Sequence, residues 1–313
     1  MTGTINDEAA RATWPFVVAA CHAAGLDPEG AEPVRIADHA IWAISGEVVV
    51  RLTRPGRRAA AHTELRTAQW LADHGVPAVR PALPGVVELP GERAATFWRR
   101  LPDHTPGRHE DVAGLLRLLH RLPLPDHLPP LADPAGRARA RIEAVRHSSV
   151  IDHADMGRLA DRADDLADAW RILAAGLSPA PLHGDAWAGN VARTADGRAF
   201  LLDLDSAAVG PPEWDLTSTA VKVSTTATIP PAEYERFVAA YGGYDVRTYD
   251  GFEVMRDIRE LHMAVYAIQT AVDHPHTAPE ARHRVACLRS LNGPRPWTWT
   301  AVPHPPGRPG PIV

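Results

Sequence analysis

Cysteine is nearly missing from this chain of 313 residues: Cys21 and Cys287 are the only two. One near each end makes neither a disulfide framework nor metal-ligand spacing, which fits a reducing cytoplasm. Long apolar runs are missing as well, and none approaches the ~18 residues that would suggest a membrane span. Residues 1–8 show no basic stretch leading into an apolar core, so no signal peptide is expected. A surplus of positive charge is absent, because the net charge is −5, and nothing argues for nucleic acid as a partner. No Gly-Lys-Ser/Thr signature occurs anywhere, which excludes a P-loop nucleotidase. No internal repeat is visible, and the 16 histidines are scattered, mostly beside Pro, Arg or Asp. With 45% apolar and 23% charged residues the balance is that of an ordinary globular protein, long enough for two substantial cores.

What is present centres on one stretch, Leu182-His183-Gly184-Asp185-Ala186-Trp187-Ala188-Gly189-Asn190-Val191, continued by Phe200-Leu201-Leu202-Asp203-Leu204-Asp205. Asp196-Gly197 lies between the two apolar runs, and Asp-Gly is a strong short-range hairpin signal. A two-residue turn there sets Asn190 opposite Asp203, with Cα atoms ~4.5–5.5 Å apart. An amide oxygen and a carboxylate then converge, which is the donor chemistry of Mg²⁺.

The order His183-Gly184-Asp185, Asn190, Leu202-Asp203-Leu204-Asp205 and Gly210-Pro211-Pro212-Glu213-Trp214-Asp215-Leu216 resembles the signature of the aminoglycoside phosphotransferase/choline kinase family. The five-residue step from Asp185 to Asn190 is that of the kinase catalytic loop. The resemblance implies an α+β, bilobal protein-kinase-like fold. It would have a small N-lobe of antiparallel sheet plus helix, and a larger, mainly helical C-lobe with a catalytic β-hairpin. It further implies Asp185 as catalytic base, Asn190 and Asp203 as Mg²⁺ ligands, and Asp205 as an auxiliary carboxylate near the metal. His183 and Asp215 would brace the loop. The Gly of the protein-kinase Asp-Phe-Gly motif is missing, since the chain reads Asp203-Leu204-Asp205, which favours a small-molecule kinase.

The first lobe is expected over residues 1–101. An amphipathic helix over 8–24 stops at Gly25, and strands follow at 34–37, 40–44 and 48–52. The last carries Arg51, where the resemblance expects a basic residue for the nucleotide's α- and β-phosphates, usually Lys. In a helix over 60–74 the apolar stripe is Ala61, Leu65, Ala68, Leu71 and Ala72, and Glu64 falls on that stripe. A carboxylate aimed inward needs a partner, and Arg51 is the candidate, as in the Lys–Glu pair of kinases. The segment Ala37-Asp38-His39-Ala40-Ile41-Trp42 stands where a glycine-rich phosphate loop is usual. Two more strands, 86–89 and 94–100, complete the sheet and lead to a hinge at Leu101-Pro102. The fold implied by the resemblance places adenine against hinge backbone near Arg99 and Leu101.

The second lobe is expected over 102–293, with helices at 110–120, 135–147, 157–175 and 250–272. On the last of these Val254, Ile258, Leu261, Val265, Ile268 and Val272 form a seam flanked by Asp257 and Glu260. The family holds amino groups of its acceptors with acidic residues of this lobe, so the resemblance offers Asp257 and Glu260 for that role. Trp187, inside the catalytic loop, either stacks on an acceptor ring or packs against the lobe. Residues 294–313 hold seven prolines and form a tail, with Trp297 and Trp299 available to pin it.

The expectation is a cytoplasmic, Mg²⁺-dependent small-molecule kinase using ATP or GTP and a hydroxyl-bearing acceptor, with no membrane or protein partner evident. Aminoglycosides, choline-like amines, homoserine, sugars and macrolides are acceptors of proteins resembling this one. Two other readings stand beside it: a nucleotide-binding regulator of the same fold without transfer activity, and a metal-dependent hydrolase built on His183, Asp185, Asp203 and Asp205.

Overall fold

The computed structural model describes residues 7–36 and 39–302. The expectations that fall on residues 1–6, on Ala37 and Asp38 before His39, and on 303–313 of the Pro-rich tail lie outside the described residues.

In chain order the elements begin with α1 (Asp7–Ala23), β1 (Glu32–Ile36), β2 (Ala40–Ala43), β3 (Val48–Leu52) and α2 (Arg58–Asp73). They continue with β4 (Val87–Leu89), β5 (Arg93–Arg99), β6 (His104–Pro106), α3 (His109–Leu119), α4 (Gly136–Val145) and α5 (His153–Ala174). Then come β7 (Ala180–Leu182), β8 (Val191–Thr194), β9 (Ala199–Leu201), β10 (Ala208–Gly210) and α6 (Glu213–Ser224). The last are α7 (Pro231–Tyr241), α8 (Phe252–Asp273) and α9 (Ala278–Leu288). The described residues make two compact units, one of residues up to 128 together with 183–207, the other of 129–182 together with 208–302.

The first unit carries a five-stranded antiparallel sheet in the order β1-β2-β3-β5-β4. Strand β3 is central, with Arg51 opposite Ile41 on one side and Thr96 on the other. Its β-branched run is buried on both faces, so it lacks the polar alternation of a half-exposed strand. One face of the sheet, with Trp42, Val50, Leu52, Ala95 and Phe97, packs against Val17, Ala20 and Cys21 of α1. Helix α2 buries Ala61, Leu65, Ala68 and Leu71 and, on the same stripe, the carboxylate of Glu64.

A second, three-stranded sheet of order β6-β8-β9 holds the hairpin. Residues 77–79, just beyond α2, are laced to β9, since Leu201 N–H donates to Pro77 O and Val79 N–H to Leu201 O. The turn of the hairpin has three residues, Ala195–Gly197, where two were expected. Gly197 sits at φ +85° and its N–H donates to Thr194 O, while Thr194 N–H donates to Arg198 O. Asp196 drives this: its carboxylate accepts from Thr194 Oγ1 at 2.5 Å and from Arg198 Nε at 2.8 Å, which favours a turn closed by a left-handed glycine. The pairing therefore shifts by one residue, with Val191 opposite Leu201 and Leu202 N–H donating to Asn190 O. Asn190 does not face Asp203 across a ladder.

The second unit is helical apart from the short β7–β10 ladder. Trp170 of α5, Trp214 of α6 and Met255, Ile258, Leu261, Val265 and Ile268 of α8 form its core. The expected α8 seam is present, but Val272 at its end is exposed. Part of the Pro-rich tail is docked on this unit. Trp297 N–H donates to Thr225 O at 2.6 Å, the Trp297 and Trp299 rings stack at 5.4 Å, and Arg284 lies over Trp299. Arg295 donates from Nε and Nη2 to the two carboxylate oxygens of Glu260, each at 2.6 Å. Glu260 is fully buried and also accepts from Thr225 Oγ1 at 2.7 Å.

Two stability measurements follow. Removing one partner of a buried pair leaves the other uncompensated, so Arg295→Ala is expected to cost about 3 kcal/mol in urea unfolding followed by tryptophan fluorescence. His262 bonds Pro134 O through Nε2, and burial pushes its pKa down from 6.5 to about 3, helped by Arg259. A histidine depressed in the folded state supports stability above the unfolded value, and that support drains away as pH falls from 6.5 toward 3. His262→Gln is expected to flatten the acid limb of the stability–pH profile across that window, and an unchanged limb would assign acid lability elsewhere.

Candidate active site

The site is assembled inside the first unit, around the Arg51 guanidinium on β3. Nη1 pairs with Glu64 Oε1 from α2, and Nη2 donates to Asp203 Oδ1 at 2.6 Å. Arg51 and Glu64 are both buried. A planar fork reaches two carboxylates from one side chain, which a lysine ammonium does with less geometric control. Burial alone would lower the Arg51 pKa, but the carboxylates of Glu64, Asp203 and Asp205 outweigh it and raise it. Burial pushes Glu64 up to about 7 against the pull of Arg51.

Strand β9 ends at Leu201, and the expected strand does not run on through Asp205. Asp203 instead adopts φ +54°, a left-handed conformation rare for a residue with a side chain, and Leu204–Ser206 form a 3-10 turn. Such local strain concentrates at functional positions. The kink, and not strand alternation, brings Asp203 and Asp205 to one place. Asp205 Oδ2 accepts from Arg57 Nη2 at 3.0 Å and stands 3.7 Å from His39 Nε2. Burial would raise the Asp205 pKa, but His39, Arg51 and Arg57 hold it well below the usual carboxylate range.

His39, Asp203 and Asp205 each offer one ligand atom, all within 4.8 Å of one another. His39 and Arg57 were not among the sequence candidates. Their signal was positional: His39 fills the place of the glycine-rich loop, and Arg57 immediately precedes the helix that carries Glu64. The carboxylates of Asp203 and Asp205 and the amide oxygen of Asn190 are hard donors and suit a divalent cation of the Mg²⁺ type. The imidazole of His39 beside them adds a nitrogen.

The residues of the 183–190 loop form the other half of the candidate site. His183 is buried, its Nε2–H donates to Leu202 O at 2.8 Å, and its Nδ1 accepts from Asp185 N–H at 3.3 Å. Those two bonds fix the tautomer and tie the loop to the end of β9. Gly184 has φ +83°, and a Cβ there would stand 2.0 Å from Ser206 O, so only glycine fits. The Asn190 amide nitrogen donates to Asp185 O at 2.9 Å and Asp185 Oδ2 at 3.3 Å, which turns the amide oxygen away from the Asp185 carboxylate.

The remaining sequence candidates sit on other elements. At the hinge, Arg99 N–H donates to Arg80 O and Arg100 N–H to Glu47 O, both at 2.8 Å. Asp215, Asp257 and Glu260 belong to the second unit. Asp215 is fully buried in the first turn of α6. Asp257 accepts from Arg162 at 2.8 Å and Arg256 at 3.1 Å, and Glu260 from Arg295 as above, so α8 offers no uncompensated acidic pair.

A family model described as the phosphotransferase enzyme family matches residues 30–257, well over half of the chain. Among solved structures, the GDP and kanamycin complex of APH(2")-IIia superposes with a TM-score of 0.63 at 12% identity, covering 90% of this chain and 99% of the other. A choline/ethanolamine kinase family protein from Mesorhizobium loti gives 0.61 at 18% identity, over 90% and 94%. An aminoglycoside phosphotransferase from Streptomyces rimosus, in complex with ADP and streptomycin, gives 0.58 at 20%, over 79% and 97%. At such identities the likeness is one of fold, and it is the kinase-like α+β fold expected from the sequence. No curated protein sequence matches the chain.

The Arg51 fork makes a testable claim. Arg51→Met strands the Glu64 carboxylate in the interior and is expected to cost ~3–5 kcal/mol in chemical denaturation. Arg51→Lys keeps the charge and is expected to recover more than half of that loss.

Proposed function

Since the chain belongs to the phosphotransferase enzyme family, we propose that it transfers the γ-phosphate of ATP or GTP to a hydroxyl of a small, amino-bearing acceptor such as an aminoglycoside. The observation that carries this reading is the Arg51 guanidinium, joined to Glu64 on one prong and to Asp203 on the other. A cation held between a buried helix carboxylate and a metal-type carboxylate is the arrangement that nucleotide phosphates require.

In this mechanism Asp185 accepts the proton of the acceptor hydroxyl as its oxygen approaches the γ-phosphorus. Such base catalysis contributes typically ~10²–10⁴ in rate. Arg51 binds the α- and β-phosphates while Glu64 keeps it from swinging away. Asn190 and Asp203 would hold Mg²⁺, with Asp205 in support. The cation, when bound, neutralises charge on the phosphates. His183 holds Asp185 in place through the backbone and has both ring nitrogens engaged, so it does not compete for the proton. The base of the nucleotide is taken by hinge backbone. The Arg99 and Arg100 N–H groups are already used within the protein, so Leu101 supplies the donor. The amines of the acceptor are not assigned to Asp257 and Glu260, because arginines already neutralise both.

Purified protein is to be incubated with ATP or GTP, Mg²⁺ and a pool of aminoglycosides, amino alcohols, macrolides and sugars. Mass spectrometry reads the phosphate-sized gain. A phosphorylated product is expected, absent with Asp185→Asn, which retains its fold and nucleotide affinity. Turnover within twofold of the parent in that variant rejects Asp185 as base. Nucleotide binding without transfer or hydrolysis would instead favour the silent regulator.

A further inference from the structure

The path from Asp185 to Asn190 is a tight excursion whose shape is set by two close approaches. The Trp187 indole lies directly over Gly189, and a Cβ at 189 would stand 2.1 Å from Cη2 and 2.4 Å from Cζ3 of that ring. Trp187 O accepts Asn190 N–H at 2.9 Å, which closes the 3-10 turn Ala188–Asn190. Gly107, following β6, grips the same turn. Its N–H donates to Ala188 O at 3.0 Å and Val191 O at 2.8 Å, and a Cβ there would fall 2.5 Å from Val191 Cγ1. Neither glycine has a positive φ, so what each supplies is proximity and not an unusual backbone angle.

The pinched turn ends at Asn190, whose amide reaches back to Asp185 at 2.9 and 3.3 Å. Widening the turn therefore moves Asn190 relative to Asp185. We propose that Trp187 is a positioning residue for phosphoryl transfer: its ring, seated on Gly189 while the Gly107 amide grips the turn, sets the spacing at which Asp185 and Asn190 act. This rests on the kinase reading above. It places the indole within the machinery of the loop and not as a stacking platform for an acceptor.

The turn gives way when the ring and a Cβ compete for one space. Gly189→Ala forces either the indole to lift or the turn to open. A displacement of ~1 Å in a catalytic group costs on the order of 10²-fold in rate. Loss of support behind a metal ligand costs typically ~10–100-fold in metal affinity. The ring is also the only party to the conflict that a second substitution can remove, which makes the interaction separable from folding.

The test uses Mn²⁺ as the probe, titrated by EPR into the full chain saturated with ATP, alongside basal ATP hydrolysis and a thermal melt. For Gly189→Ala we expect Mn²⁺ affinity to fall about tenfold and hydrolysis on the order of 10²-fold, with the melting midpoint and metal-free ATP affinity retained. Trp187→Phe is expected to keep most of both activities, and Trp187→Leu to lose about tenfold in each. The Gly189→Ala/Trp187→Leu double variant is expected to be no worse than Trp187→Leu alone, because the Cβ then occupies space the ring has left. Parental Mn²⁺ affinity and hydrolysis in Gly189→Ala overturn the proposal. So does Trp187→Leu with both readouts unchanged, which would return the ring to the acceptor. Asn190→Ala serves as control: if it leaves Mn²⁺ affinity at the parental level, the kinase reading fails at its metal ligand, and the failure is not that of the clamp.

Discussion

One guanidinium holds the first unit's chemistry in place. Arg51 is delivered by the central strand of an antiparallel sheet, and its two prongs meet carboxylates that arrive from different elements, Glu64 from α2 and Asp203 from the end of the hairpin. The two buried charges, Arg51 and Glu64, are tolerated because each has a hydrogen-bonded counter-charge, and Arg51 also holds the more exposed Asp203. The sheet register, the phase of α2 and the kink at Asp203 are thereby tied to one another. A shift in any of them would leave a carboxylate without its cation.

The loop around Asp185 is built on a different principle. Its geometry depends on backbone and glycine more than on charge: His183 bonds two main-chain groups, Gly184 lies against Ser206 O, and Gly189 lies against the Trp187 ring. Close approaches of this kind leave little room for alternative conformations of the loop, which suits the base role proposed for Asp185. The metal-type carboxylates, in contrast, sit among arginines and a histidine.

Much of this was legible in the sequence where a long periodic pattern carried it. The helices α1, α2, α3, α4, α5 and α8 and all five strands of the larger sheet lie where the sequence placed them, and the inward face of Glu64 could be read from its place on the α2 stripe. The hairpin was legible as a hairpin, but its register was not. Asp-Gly signals both two-residue and three-residue turns, and the choice was made by side-chain bonds of Asp196 that spacing does not encode. The convergence expected from opposed strands was replaced by a left-handed Asp203. His39 and Arg57 were hidden because single polar residues in short connections carry no period. The strands β6, β7 and β10 have three residues each, too few for an alternation to be seen. Helices α7 and α9, which begin beside prolines, were not among the expected elements, although proline is well suited to a first helical turn. The flanking acids of α8 looked available because the arginines that neutralise them come from α5, from α8 itself and from the tail.

The docked arginine has a consequence for synthesis. Glu260 enters the chain 35 residues before Arg295, which gives it two hydrogen bonds. A ribosome making this protein vectorially exposes α6 and α8 as a pair whose buried carboxylate has Arg256 at 3.7 Å but still lacks its two hydrogen bonds from Arg295. Until residue 295 emerges, Glu260 is better served by water than by the interior. The second unit therefore closes late, and a chaperone would meet it as an open helical layer whose last helices have yet to settle.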